Sequence, residues 1–121
     1  MCKRGDIYYV DFGDNQDSCK QSGIRPAVIV SNNKNNQNSP VVTVVPLTTR
    51  VWKKKYLPTH VQIPRENGVG LNRPSMVLAE QVETLDKGRL REKIGTIEDR
   101  SVMGQITTAL QIQIGAFNEY N

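Results

Sequence analysis

Apolar and polar residues alternate along this chain in two rhythms. Through roughly the first seventy per cent of the sequence the apolar residues come in short runs at strand spacing. Ile7-Tyr8-Tyr9-Val10-Asp11-Phe12 is rich in β-formers, and a loop carrying Gly13, Asp14, Asn15, Ser18, Ser22 and Gly23 follows it. Pro26 to Ser31 reads as a second strand and Val41 to Val45 as a third. Between them the polar stretch NNKNNQNSP has turn chemistry and nothing to bury, so it is expected to be a plain connection. Thr59-His60-Val61-Gln62-Ile63 alternates as a half-buried strand would. Ser75 to Leu85 supplies one or two more strands, behind a loop with Gly68, Gly70 and Pro74, and Asp86 to Leu90 reads as a short helical turn. After Asp99 the rhythm changes. Val102, Met103, Ile106, Ala109, Leu110, Ile114 and Phe117 recur at helical spacing, with Asp99 as a candidate cap and Gly104 as a local weak point. Many strands at regular intervals and then one helix predict a mainly β fold with a C-terminal helix, arranged as a small antiparallel barrel. No repeat or linker divides the chain, so residues 1–121 read as a single domain.

Composition narrows this picture only modestly. A chain of 121 residues suits one core, and its 37% apolar content is gathered into runs, as in a globular protein. Sixteen Lys and Arg against twelve Asp and Glu leave a charge of +4, which fits a polyanionic partner but is shared by many ordinary proteins. Cys2 and Cys19 have no spacing that suggests a staple, so free thiols in a reducing compartment are expected. The opening MCKRGD has no apolar leader, and the longest apolar run, Val41 to Leu47, is too short for a bilayer. The expectation is a cytoplasmic protein with no membrane association.

Candidate chemistry comes from strand pairing. If the second and third strands form a hairpin with Asn32 facing Val41, partner numbers sum to about 73, which sets Arg25 opposite Thr48. Pro46 has no N–H, so the ladder should fail near it and leave Thr48 and Thr49 at a rim beside Arg25. A guanidinium and a hydroxyl at one rim suit cleavage of RNA by its own 2′-hydroxyl, where the protein must stabilise an anionic phosphorane. His60 is the sole histidine and the cysteines are scattered, so neither a zinc set nor a two-histidine acid–base pair is available. No cofactor or metal is expected. The stretch Arg50-Val51-Trp52-Lys53-Lys54-Lys55-Tyr56 interleaves charge with aromatics, as single-strand binders do. Each feature has a plainer reading. The lysines can be a solvated charge run, Arg25 a surface salt link, Thr48 a strand former, His60 a structural histidine, Cys19 a bystander thiol and Glu80 a rim carboxylate.

Six segments in order carry a resemblance: KRGDIYYVDF, GIRPAVIVSN, VVPLTT, LPTHVQI, SMVLAEQVETLDKGRL and KIGTI with the terminal helix. With these the chain resembles the MazF/PemK family of toxin endoribonucleases. The resemblance implies an SH3-like barrel, a homodimer and a toxin of a type II toxin–antitoxin system. It implies sequence-specific, metal-independent cleavage of single-stranded mRNA that leaves a 2′,3′-cyclic phosphate and a 5′-hydroxyl, and a cognate MazE-like antitoxin. The family's catalytic arginine and threonine fall on Arg25 and Thr48. The RNA-binding candidates are Lys20, Gln21, Thr49, Trp52, Lys53, Lys54, Lys55, Ser75, Glu80 and Gln81. One departure stands out: relatives commonly read Gly-Ser-Glu-Gln where this chain reads Ser18-Cys19-Lys20-Gln21, so lysine replaces an acid at Lys20. Two rival readings remain. One is a noncatalytic RNA-binding or inactivated toxin barrel, which Lys20 keeps open; the other is a gyrase poison on the same barrel, which the Arg25 and Thr48 motifs oppose.

Overall fold

The apolar runs do form strands, and the runs that fail to alternate are those buried on both faces. β1 (Asp6–Asp11), β2 (Ile24–Ile29) and β3 (Val41–Thr48) lie side by side and antiparallel. Ile7, Val28 and Val45 point into one apolar layer with Leu47, Val61, Ile63 and Val77, closed by Val102, Ile106 and Ala109 of the terminal helix. Val10, Phe12, Ala27, Ile29, Val42 and Val44 point the other way, into a second layer with Cys2, Tyr8, Leu85 and Leu90. The structure is a computed structural model that describes residues 1–15, 17–51, 57–63 and 70–117.

The register predicted for the central hairpin is the one found: Ala27 faces Pro46, Val28 faces Val45 and Ile29 faces Val44. Pairing with β2 ends at Pro46, as a missing N–H demands, but the strand itself continues. Leu47 and Thr48 pair instead with Val77 and Met76 of β5 (Ser75–Leu78), which carries β4 (His60–Ile63) on its far side. The third strand is therefore longer than the Val41–Val45 run suggested, and Thr48 belongs to it. After β5 a short 3₁₀ turn, Ala79–Gln81, leads into β6 (Glu83–Asp86), which pairs with the first half of β3. A second 3₁₀ turn, Lys87–Arg89, occupies the predicted Asp86–Leu90 segment. The sheet runs β4-β5-β3-β2-β1 and ends on β7 (Leu90–Thr96), with β6 beside β3, so it curls into a barrel-like shape that the described strands do not close.

Two elements depart from expectation. The Asn-rich connection is a helix, α1 (Asn33–Asn38), despite its weak helix formers. Local bonds hold it: Asn32 caps it by accepting from the Asn35 N–H at 2.8 Å, and the fully buried Asn36 donates to the Ser31 carbonyl at 2.9 Å. The strand β7 (Leu90–Thr96) was not predicted at all. Its pairing with β1 shifts register twice, so its apolar residues lose the two-residue rhythm that marks a strand. Gly70 approaches this strand at a φ of +82°, and a Cβ there would run into the carbonyl oxygen of Ile94. The terminal helix α2 (Arg100–Gln113) starts as predicted, with the Asp99 carboxylate accepting from the Ser101 and Val102 N–H groups.

Candidate active site

Continuing the observed register by two residues sets Arg25 opposite Thr48, and both line one cleft of about 270 Å³ with Gln21, Pro26, Leu47, Thr49 and Arg50. The β1–β2 loop shapes its mouth. Phe12 donates to the Gly23 carbonyl and Gly23 donates back to that of Gly13, so the loop is pinched at its base. Gly23 makes this exchange at a φ of +73°, one residue before Ile24 and two before Arg25. Pro26 then biases Arg25 to extended backbone, which aims the side chain off the end of β2.

Arg25 is exposed, its Nε donating to the Ser22 carbonyl at 3.1 Å, and it forms no ion pair among the described residues. Its two terminal nitrogens are thus left to a ligand. Thr48 sits deeper, 9% exposed, where its Oγ1 accepts from the Arg50 N–H at 3.1 Å. With that oxygen fixed as an acceptor, its own hydrogen is available to an incoming oxygen. Thr49 and Arg50 are exposed at the same wall. The lining contains two cations and two hydroxyls but no carboxylate or imidazole, an arrangement suited to an anion such as a phosphate.

A second cleft, of about 500 Å³, lies beside the first and is lined by Ser18, Cys19, Lys20, Leu57, His60, Glu80 and Gln81. The 3₁₀ turn after β5 builds its floor. Because His60 pairs with Leu78 and the Ala79 N–H donates to the Thr59 carbonyl, Glu80 folds back over the start of β4. Thr59 Oγ1 donates to Glu80 Oε1 at 2.8 Å, and His60 Nε2 stands 3.0 Å from Oε2. Gln81 Oε1 accepts from the Gln21 N–H at 2.8 Å, which joins the floor to the loop that leads to Arg25. Lys20 reaches across to Glu83, 3.8 Å away, with half its side chain in solvent.

The sequence candidates thus fall into groups. Arg25, Thr48, Thr49 and Gln21 share the first cleft, and Lys20, Glu80 and Gln81 line the second. Ser75 lines neither; it is 1% exposed and its hydroxyl donates to the Arg73 carbonyl. Trp52, Lys53, Lys54 and Lys55 lie outside the described residues. The sequence pattern did not single out Thr59 or Leu57, counted Arg50 only within the basic stretch of residues 50–56, and took His60 as structural; the strand alternation through Thr59–Ile63 gave no hint that Glu80 would fold onto them. Cys2 is buried and Cys19 exposed, both as free thiols. Among the described residues no three His, Cys, Asp or Glu side chains converge as metal ligands would, and no helix is long and apolar enough to cross a membrane.

Comparison with known proteins places these clefts in context. Residues 3–114 match the family described as PemK-like, MazF-like toxin of type II toxin-antitoxin system. Over 115 residues the chain is 42% identical to Endoribonuclease MazF of Staphylococcus saprophyticus, covering 95% of this chain and 92% of that one. Its fold resembles a mycobacterial endoribonuclease solved with its cognate antitoxin, at a TM-score of 0.72 and 31% identity, across 95% of this chain and 96% of the other. It also resembles MazF of Deinococcus radiodurans, at a TM-score of 0.76 and 24% identity, across 95% and 97% of the two chains.

Proposed function

Because this chain belongs to the PemK-like, MazF-like toxins of type II toxin–antitoxin systems, we propose that Arg25 and Thr48 cleave single-stranded RNA at the first cleft. The protein is an endoribonuclease toxin. The observation that carries the assignment of the site is the shared cleft, with an anchored but unpaired guanidinium at its mouth and a hydroxyl fixed at its floor.

A scissile phosphate seated there would meet the planar donors of Arg25 on one side and the Thr48 hydroxyl on the other. As the substrate's 2′-oxygen attacks phosphorus, charge grows on the non-bridging oxygens, and these donors hold more tightly to the phosphorane than to the ground state. The 2′-hydroxyl gives up its proton as it attacks, the bond to the 5′-oxygen breaks, and that oxygen takes up a proton, leaving a 2′,3′-cyclic phosphate and a 5′-hydroxyl. The nucleophile belongs to the RNA and the lining supplies charge stabilisation, so this scheme proceeds without a metal. The net charge of +4 and the exposed Arg25, Thr49 and Arg50 favour a polyanionic substrate.

The partners follow the same reading. A MazE-like antitoxin would hold the toxin inactive, and a second copy of the chain would complete a homodimer in the cytoplasm.

Incubating the purified protein with a long single-stranded RNA in EDTA tests the chemistry. Discrete cuts that persist under chelation, carry 5′-hydroxyl ends and vanish in Arg25→Ala are the expected result. Tight RNA binding with no cut in any sequence would leave a noncatalytic barrel instead.

A further inference from the structure

His60 is placed unlike a filler of the core. Its side chain is only 4% exposed, yet it lines the second cleft and directs Nε2 at the Glu80 carboxylate. A carboxylate only accepts, so the hydrogen of this bond belongs to Nε2 of the imidazole. Nδ1 is buried with no partner among the described residues, so the bond to Glu80 is the ring's one hydrogen bond among them. Thr59, itself buried, holds the other carboxylate oxygen. Glu80 therefore has one fixed orientation, with 28% of its side chain open to the cleft.

We propose that His60 is a positioning residue for substrate choice, locking Glu80 as a fixed acceptor that decides which nucleobase the second cleft admits. This rests on reading the chain as an RNA-cleaving enzyme. Each carboxylate oxygen has one lone-pair direction taken by His60 or Thr59 and one left over. A base that turns an exocyclic amine toward it, as cytosine, adenine and guanine can, is accepted. Uracil, whose exocyclic atoms are both carbonyl oxygens and whose one edge donor, N3–H, lies between them, is disfavoured because those oxygens face the carboxylate. Leu57, exposed at the cleft wall, gives the base an apolar surface. The Gln21–Gln81 hydrogen bond ties this cleft to the loop before Arg25, so a base seated at Glu80 sets the register of the phosphate at the first cleft. A carboxylate free to rotate would hydrogen-bond many edges; one held at both oxygens discriminates.

The test maps cut ends in a random single-stranded RNA pool for the wild type, Glu80→Gln, His60→Leu and His60→Gln. The wild type is expected to disfavour uracil at one nucleotide position. Glu80→Gln and His60→Leu should each weaken that preference by about 10- to 100-fold and leave the other positions unchanged. His60→Gln should keep it, because the glutamine amide can donate from near the place of Nε2. A Glu80→Gln enzyme with the wild-type preference at every position overturns the proposal. So do His60→Leu and His60→Gln enzymes that behave alike, which would mark a merely structural histidine. If His60→Leu loses its cooperative thermal transition, Glu80→Gln and His60→Gln decide. A wild type that cuts nothing speaks against the endoribonuclease reading alone, since RNA enriched by binding from the same pool still reports the base preference.

Discussion

Two clefts share one loop and one stretch of sheet, and they are built on opposite plans. In the first, Arg25 is anchored at Nε, exposed, and free of ion pairs among the described residues, above a hydroxyl fixed by one backbone N–H. In the second, a carboxylate is gripped at both oxygens by Thr59 and by a nearly fully buried histidine. A guanidinium anchored at Nε with its terminal nitrogens unpaired suits a cation that must meet charge as it develops, because its donors are pre-aligned and not taken up by a carboxylate. A rigid grip suits recognition, where the cost of a mismatched base depends on the acceptor being unable to turn away. On the roles proposed above, the difference gives rate to one cleft and choice to the other.

Replacing Arg25 should break this division most visibly. Arg25→Ala is expected to lower kcat by about 10²–10³, the usual cost of losing one pre-aligned donor, and to leave base preference unchanged. Arg25→Lys keeps the charge but loses the planar fork, so its rate should fall between the two. Single-turnover kinetics on one cognate RNA, with cut-end mapping beside it, separates the two readouts. A shift of preference in Arg25→Ala would mean that the clefts do not divide the work.

Thr59→Val probes the second cleft through stability. The substitution keeps the shape of a residue 6% exposed and removes the only side-chain donor to Glu80 Oε1 among the described residues. A loss of about 1–2 kcal/mol in urea unfolding is expected, since a partly buried acceptor loses its partner. kcat for the cognate RNA should change far less than in Arg25→Ala. An unchanged urea midpoint would mean that the grip on Glu80 is loose.

The two plans also differ in how far the sequence revealed them. Arg25 and Thr48 were legible because strand pairing is arithmetic: once Asn32 and Val41 are taken as partners, the register carries Arg25 to Thr48. Pro46 even marked where β2 lets go of β3. The second cleft depends on a 3₁₀ turn, Ala79–Gln81, that bends Glu80 back over Thr59 and His60. Nothing periodic announces such a turn, so His60 read as a strand residue. The missed elements fail for related reasons. α1 is a helix because Asn32, Ser31 and Asn36 bond to it, against the propensity of its asparagines. β7 hides because bulged pairing with β1 erases its alternation. Local rhythm specified the strands with regular partners; side chains meeting across the fold specified the rest.

Lys20 sits between the two plans and should give the smallest effect. It occupies the second cleft, at the position where the family resemblance leads one to expect an acid, and its Nζ lies 3.8 Å from Glu83 Oε1. A pair at that distance with half the lysine in solvent is worth about 0–0.5 kcal/mol, so Lys20→Ala should barely move the urea midpoint. Its effect belongs to RNA. A lysine at the cleft mouth whose link to Glu83 is this weak can turn to a phosphate, and losing it should lower the slope of log affinity against log salt by about 0.7. Base preference should hold, because a flexible ammonium reads no particular edge. A changed preference with an unchanged salt slope would instead make Lys20 part of the reading machinery beside Glu80. The acid-to-lysine exchange would then have altered which sequence is cut, and the sharp separation between the clefts would end at this residue.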